Sequence, residues 1–121
     1  MLTAALFALL AMSPPGAEAH LRIQSTAPIE VTIEEGKVAG ARTIRVQQGE
    51  TVSLRVTSDH KLVLHLHGYD LERTAAPGAP AVFNFTAEAT GRFPVETHET
   101  DTKSKGHSHG GALFYLEVRP R

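Results

Sequence analysis

The chain has 121 residues, with 12 Lys and Arg against 13 Asp and Glu, seven His and no Cys. That length suits one small domain, and a near-neutral charge without a basic or acidic run gives nucleic acid and anionic membranes no surface to bind. Disulfides are excluded, and so is a thiolate ligand; both methionines, Met1 and Met12, fall in the N-terminal apolar segment, so a metal site made by the rest of the chain would use nitrogen and oxygen.

The N-terminal segment reads as an export signal over residues 1–19. An apolar run from Leu2 to Met12 is followed by a Ser13-Pro14-Pro15-Gly16 break and by Ala17-Glu18-Ala19, a small-x-small cleavage site, although no Lys or Arg precedes the run. The run is too short to cross a bilayer, so no stable membrane span is expected after cleavage. The mature domain would be residues 20–121, periplasmic or secreted, and loss of Glu18 leaves its acidic and basic residues equal in number. His20 would become the N-terminus. Its α-amine and imidazole could then chelate one Cu(II), or it could simply fray in solvent.

The rest of the chain consists of short alternating or apolar runs broken by turn residues, the pattern of an all-β sandwich or barrel. Ile29-Glu30-Val31-Thr32-Ile33 puts its apolar residues on one face before Glu34-Glu35-Gly36 ends the run. Ile44 to Val46 and Val52 to Val56 repeat the alternation around a turn at Gly49. In Leu62-Val63-Leu64-His65-Leu66-His67 the three leucines form a core face and His65 and His67 share the opposite face. Ala75 to Pro80 is a loop or edge segment, because its two prolines cannot donate to a ladder. Val82 to Thr86, Gly91 to His98 and Leu113 to Val118 complete the strands, and a polar, glycine-containing loop with His107 and His109 joins the last two.

Two imidazoles one residue apart on a strand converge on a single volume or on two adjacent ones, which makes His65 and His67 candidate metal ligands. The competing reading is a solvated pair on the polar side of a half-buried strand. Gly68 lets the chain turn after them. Tyr69 and Asp70 could hold an imidazole N–H, with packing the simpler role for Tyr69. His98 ends a strand expected beside that of His65 and shares a face with Glu96, which could ligate, orient a histidine or pair with a base. His107 and His109 could capture metal at the cost of ordering their loop, whereas His60, between Asp59 and Lys61, reads as a turn residue. No Gly-x-Ser-x-Gly string and no glycine-rich phosphate loop is present, so metal-independent catalysis has no visible handle.

The His65-Leu66-His67-Gly68-Tyr69-Asp70 block, the Gly91-Arg92-Phe93-Pro94-Val95-Glu96-Thr97-His98 block and the His-bearing loop before Leu113 to Val118 together resemble cupredoxins. The resemblance covers about residues 29 to 118 and is nearest to exported, cysteine-lacking members. It implies a Greek-key β-sandwich of about seven to eight strands, with copper ligands on the loop between the last two strands and on an upstream strand end. The His-x-His-Gly string is also similar to a ligand motif of multicopper oxidases, but this chain has neither their repeated domains nor their cysteine. Lack of the thiolate excludes a blue-copper site and leaves a colourless His or His/carboxylate site, suited to Cu(II) and conceivably to Zn(II).

The expected function is copper binding, buffering or delivery at a site drawn from His65, His67, His98, His107, His109, His20 and Glu96. Its partners would be the copper ion and a copper-accepting or electron-transfer protein, with no enzymatic activity required. A redox or oxidase-like role at an open copper site is the second reading. A metal-free sandwich acting as an interaction module is the third, since a fold alone does not carry a function.

Overall fold

The computed structural model describes residues 27–98 and 111–121. The export signal, His20, His107 and His109 lie outside the described residues. The described chain forms nine strands: β1 (Ile29–Glu34), β2 (Lys37–Ala39), β3 (Thr43–Gln47), β4 (Thr51–Ser58), β5 (Leu62–Leu66), β6 (Leu71–Ala75), β7 (Ala81–Thr86), β8 (Gly91–His98) and β9 (Phe114–Arg119). They build a four-stranded sheet in the order β2-β1-β4-β7 and a five-stranded sheet in the order β3-β9-β8-β5-β6. β1 runs parallel to β4 and β3 parallel to β9, while every other pairing is antiparallel.

Period-two alternation explains the sandwich. Val31 and Ile33 of β1, Leu54 and Val56 of β4 and Phe83 of β7 point inward from one sheet. Leu64 and Leu66 of β5, Val95 of β8, and Phe114, Leu116 and Val118 of β9 meet them from the other. Phe83 is fully buried and Phe85, on the same side of β7, is half-buried, so the aromatics of that strand do not split between faces.

The strand count exceeds the expected seven to eight because β2 and β6 are both edge strands. An edge strand needs little apolar alternation. β2 has only half-buried Val38 between two exposed residues, and the middle of β6 is the exposed run Glu72-Arg73-Thr74. The break at Glu34-Glu35-Gly36 is a two-residue hairpin, with positive φ at Glu35 (50°) and Gly36 (75°) and Glu34 paired with Lys37. Ala75 closes β6, and Ala76 and Ala79 exchange backbone hydrogen bonds of 2.9 Å across Pro77-Gly78. Among the described residues no helix is long and apolar enough to cross a membrane.

Candidate metal centre

The site begins with the leucines of β5. Leu62, Leu64 and Leu66 are 4%, 0% and 0% exposed, which forces Val63 and His65 onto the outer face of the five-stranded sheet. His67 lies one residue beyond the strand end, yet its N–H donates to the Pro94 carbonyl at 3.1 Å and continues the ladder. β8 pairs with β5 so that Glu96 is opposite His65 and His98 is opposite Val63. His65, His67, Glu96 and His98 are thereby brought to one solvent-facing patch by backbone register.

The imidazoles of His65 and His67 have ring centroids 4.2 Å apart, and those of His65 and His98 are 6.0 Å apart. His67 Nε2 lies 2.9 Å from Glu96 Oε2. An ionised carboxylate only accepts, so Nε2 carries the hydrogen there and a neutral His67 ring presents its lone pair at Nδ1. Glu96 in this arrangement orients an imidazole. His65 Nε2 is 4.0 Å from Asp70 Oδ1, too far for a hydrogen bond. Its side chain remains 25% exposed and that of His67 39%.

Packing behind the patch fixes the turn that follows His67. Gly68 has φ +84°, and a Cβ there would lie 2.6 Å from Cε1 of the Phe93 ring and closer still to Cδ1, so the glycine serves close approach as well as the turn. Tyr69 packs against Phe85 and Phe93, with centroids at 4.9 and 5.0 Å. Its hydroxyl donates to the Ala89 carbonyl at 2.7 Å and accepts from the Ala89 N–H at 3.2 Å. Burial raises the Tyr69 pKa above the usual phenol value. Tyr69 therefore packs and clamps, and does not hold an imidazole. His60 pairs through Nδ1 with Asp59 Oδ1 in the turn between β4 and β5.

As they stand, no three His, Asp or Glu side chains among the described residues converge closely enough to hold one ion. His98 is exposed at the end of β8, with its ring centroid 6.0 Å from that of His65. The donor set is nitrogen and carboxylate oxygen only, which fits Cu(II) and does not fit a blue site. Sequence reasoning missed Glu72, which faces His65 from β6. Its signal was hidden because β6 itself does not alternate.

A separate cleft of about 430 Å³ is lined by Gly36, Lys37, Val38, Arg42 and Gly111 to Leu113. None of these residues is a histidine or carboxylate.

The sandwich has a cupredoxin-like fold, which it shares with solved copper-oxidase structures. A chain of a heme-copper terminal oxidase dimer superposes with a TM-score of 0.61 at 23% identity, covering 80% of this chain and 68% of that one. Lac15 from a marine microbial metagenome gives 0.55 at 19% identity over 78% of this chain and 33% of its own. A multicopper oxidase gives 0.51 at 13% identity over 74% and 43%. The chain thus spans under half the length of the latter two. No family model matches the sequence, and no curated protein matches it.

Proposed function

We propose that this protein is an exported copper-binding domain that holds Cu(II) through His65, His67 and His98, with Glu96 orienting His67. The observation that carries the reading is the β5–β8 register, which sets three imidazoles and a carboxylate on one open face. Cupredoxin-like folds in copper oxidases make copper the natural metal for an all-nitrogen-and-oxygen donor set. His107 and His109 follow His98 by nine and eleven residues, so chain connectivity makes them the next candidate donors. His20 joins them if cleavage falls after Ala19.

Copper supplies a Lewis-acid and one-electron centre when bound; the residues supply its nitrogen donors and its exposure. An ion on the outside of a sheet, beside partly exposed imidazoles, can exchange with another protein. Buffering or delivery follows from that exposure more directly than catalysis does. The oxidases' activity does not transfer, since this chain matches only part of their length and lacks cysteine.

The test is copper titration with electron paramagnetic resonance on the wild type and on His65→Ala/His67→Ala. One tightly bound Cu(II) with nitrogen hyperfine structure, lost in the double variant, is expected. Retention of the same signal in the variant, or no specific binding by the wild type, would sink the proposal.

A further inference from the structure

The cleft of about 430 Å³ beside the β1–β2 hairpin has the volume of a small-molecule site and takes no part in the copper reading. Two cations, Lys37 and Arg42, line it together with apolar surface from Val38, Ala112 and Leu113, and no carboxylate among the described residues does. Val38 and Leu113 pack against the core and Ala112 is 8% exposed, so the apolar wall is anchored to the sandwich interior. A Cβ on Gly36 or Gly111 would meet nothing within 4 Å, and both glycines leave room in the lining. Arg42 is the fixed cation. Its Nη2 donates to the Ala112 carbonyl at 2.8 Å and its Nε to the Leu113 carbonyl at 3.3 Å. These bonds use two of the five guanidinium N–H groups and leave one hydrogen on Nη2 and two on Nη1. The Nη1/Nη2 edge is therefore left as the parallel pair that takes a carboxylate in two hydrogen bonds. The Arg42 backbone carbonyl also accepts the Tyr115 N–H at 2.8 Å. With main chain and head both anchored, Arg42 has little side-chain freedom left to lose on binding.

We infer that this cleft binds a small organic carboxylate. The carboxylate lies on the Nη1/Nη2 edge of Arg42, Lys37 adds a second positive charge from β2, and the apolar body of the ligand covers Val38, Ala112 and Leu113. Among the described residues neither cation forms a salt bridge, even though Glu34 is the cross-strand neighbour of Lys37. A bare inorganic anion would leave the apolar wall wet, and a neutral molecule would leave the Arg42 edge with water as its only partner, so each satisfies one half of the lining. The cleft shares no residue with the histidine patch, and the inference is independent of the copper reading.

The experiment is a titration of the metal-free protein with benzoate at constant ionic strength, followed by the backbone amide resonances in proton–nitrogen correlation spectra. Saturable binding with a Kd on the order of 1 mM is expected, with shifts centred on Gly36, Val38, Gly111, Ala112 and Leu113 and not on β5 or β6. Benzamide has the same shape without the charge, and inorganic phosphate has the charge without the apolar body. Each should bind roughly tenfold more weakly than benzoate. Arg42→Gln should raise the benzoate Kd on the order of tenfold and Lys37→Gln severalfold. Arg42→Gln also removes the brace on Ala112 and Leu113, so its circular dichroism is compared with wild type; if the fold is lost, Lys37→Gln, which breaks no such brace, decides alone. No saturable shift with benzoate overturns the proposal, as do shifts centred away from the cleft. Benzamide or phosphate binding as tightly as benzoate would overturn it equally, and so would an unchanged benzoate Kd in Lys37→Gln.

Discussion

Gly68 is where one missing side chain has the largest consequence. Its φ of +84° is unfavourable for an L-residue, and the Cβ it lacks would fall 2.6 Å from Cε1 of Phe93 and nearer still to Cδ1, inside van der Waals contact with the ring. Gly68→Ala therefore combines backbone strain with overpacking, about 2 to 4 kcal/mol in total. Gly78 is the internal control, since it shares a positive φ (+74°) but has nothing within 4 Å of the position a methyl group would take. Gly78→Ala should cost only about 1 kcal/mol. Urea denaturation of the two variants checks this directly. Equal midpoints would show that the Phe93 contact is not what fixes the turn after His67.

At the scale of elements, the loops are braced by side chains as well as by ladders. Asp59, in the turn between β4 and β5, accepts the Glu35 backbone N–H at 2.9 Å and so ties the β1–β2 hairpin to the β4–β5 turn. That backbone hydrogen bond is the main reason its carboxyl is held below the usual value of 3.8; slight desolvation opposes it and His60 assists it. As pH falls, the unfolded chain takes up this proton before the folded one. The Asp59 contribution to stability is thus complete above the ordinary carboxylate pKa and is lost as pH falls through the lower folded value. Asp59→Asn, which keeps an acceptor oxygen, should reduce the slope of stability against pH between about pH 5 and pH 2. Glu117, lowered chiefly by its hydrogen bond from Arg119, contributes a similar limb and keeps the slope above zero. Urea midpoints measured across that range decide the matter, and an unchanged slope would remove Asp59 from the account.

The same scale shows what was legible in the sequence. Strands with one buried face declared themselves by period two, as the leucines of β5 and the inward residues of β1 and β4 did. The Glu96/His98 patch was legible too, because parity alone puts them on one face once β8 is beside β5. Edge strands were not legible. β6 pairs with one neighbour and packs only its ends, Leu71 and Ala75, into the core, while Glu72, Arg73 and Thr74 stay exposed, so no apolar alternation marks Leu71-Glu72-Arg73-Thr74-Ala75, and Glu72 opposite His65 went unseen. The role of Phe93 beneath Gly68 was hidden for a different reason: close approach across strands leaves no periodic trace.

For the whole molecule, β5 is the dividing line between what holds the fold and what the face outside it does. Leu64 and His65 are chain neighbours, one 0% exposed against the opposing sheet and the other on the outer face with a 25% exposed side chain. Leu64→Ala removes buried methyl groups from a packed sandwich and leaves a cavity, a loss of about 2 to 5 kcal/mol. His65→Ala removes no core contact and should cost less than about 1 kcal/mol. On the proposed copper site the order reverses: Leu64→Ala, still folded at low temperature, should bind Cu(II) with near wild-type affinity, while His65→Ala should lose it. Thermal unfolding and copper titration on both variants give four numbers that must fall in this crossed pattern. If Leu64→Ala weakens copper binding as much as His65→Ala does, the histidines depend on core packing for their placement, and the backbone register of β5 and β8 is not sufficient to build the site.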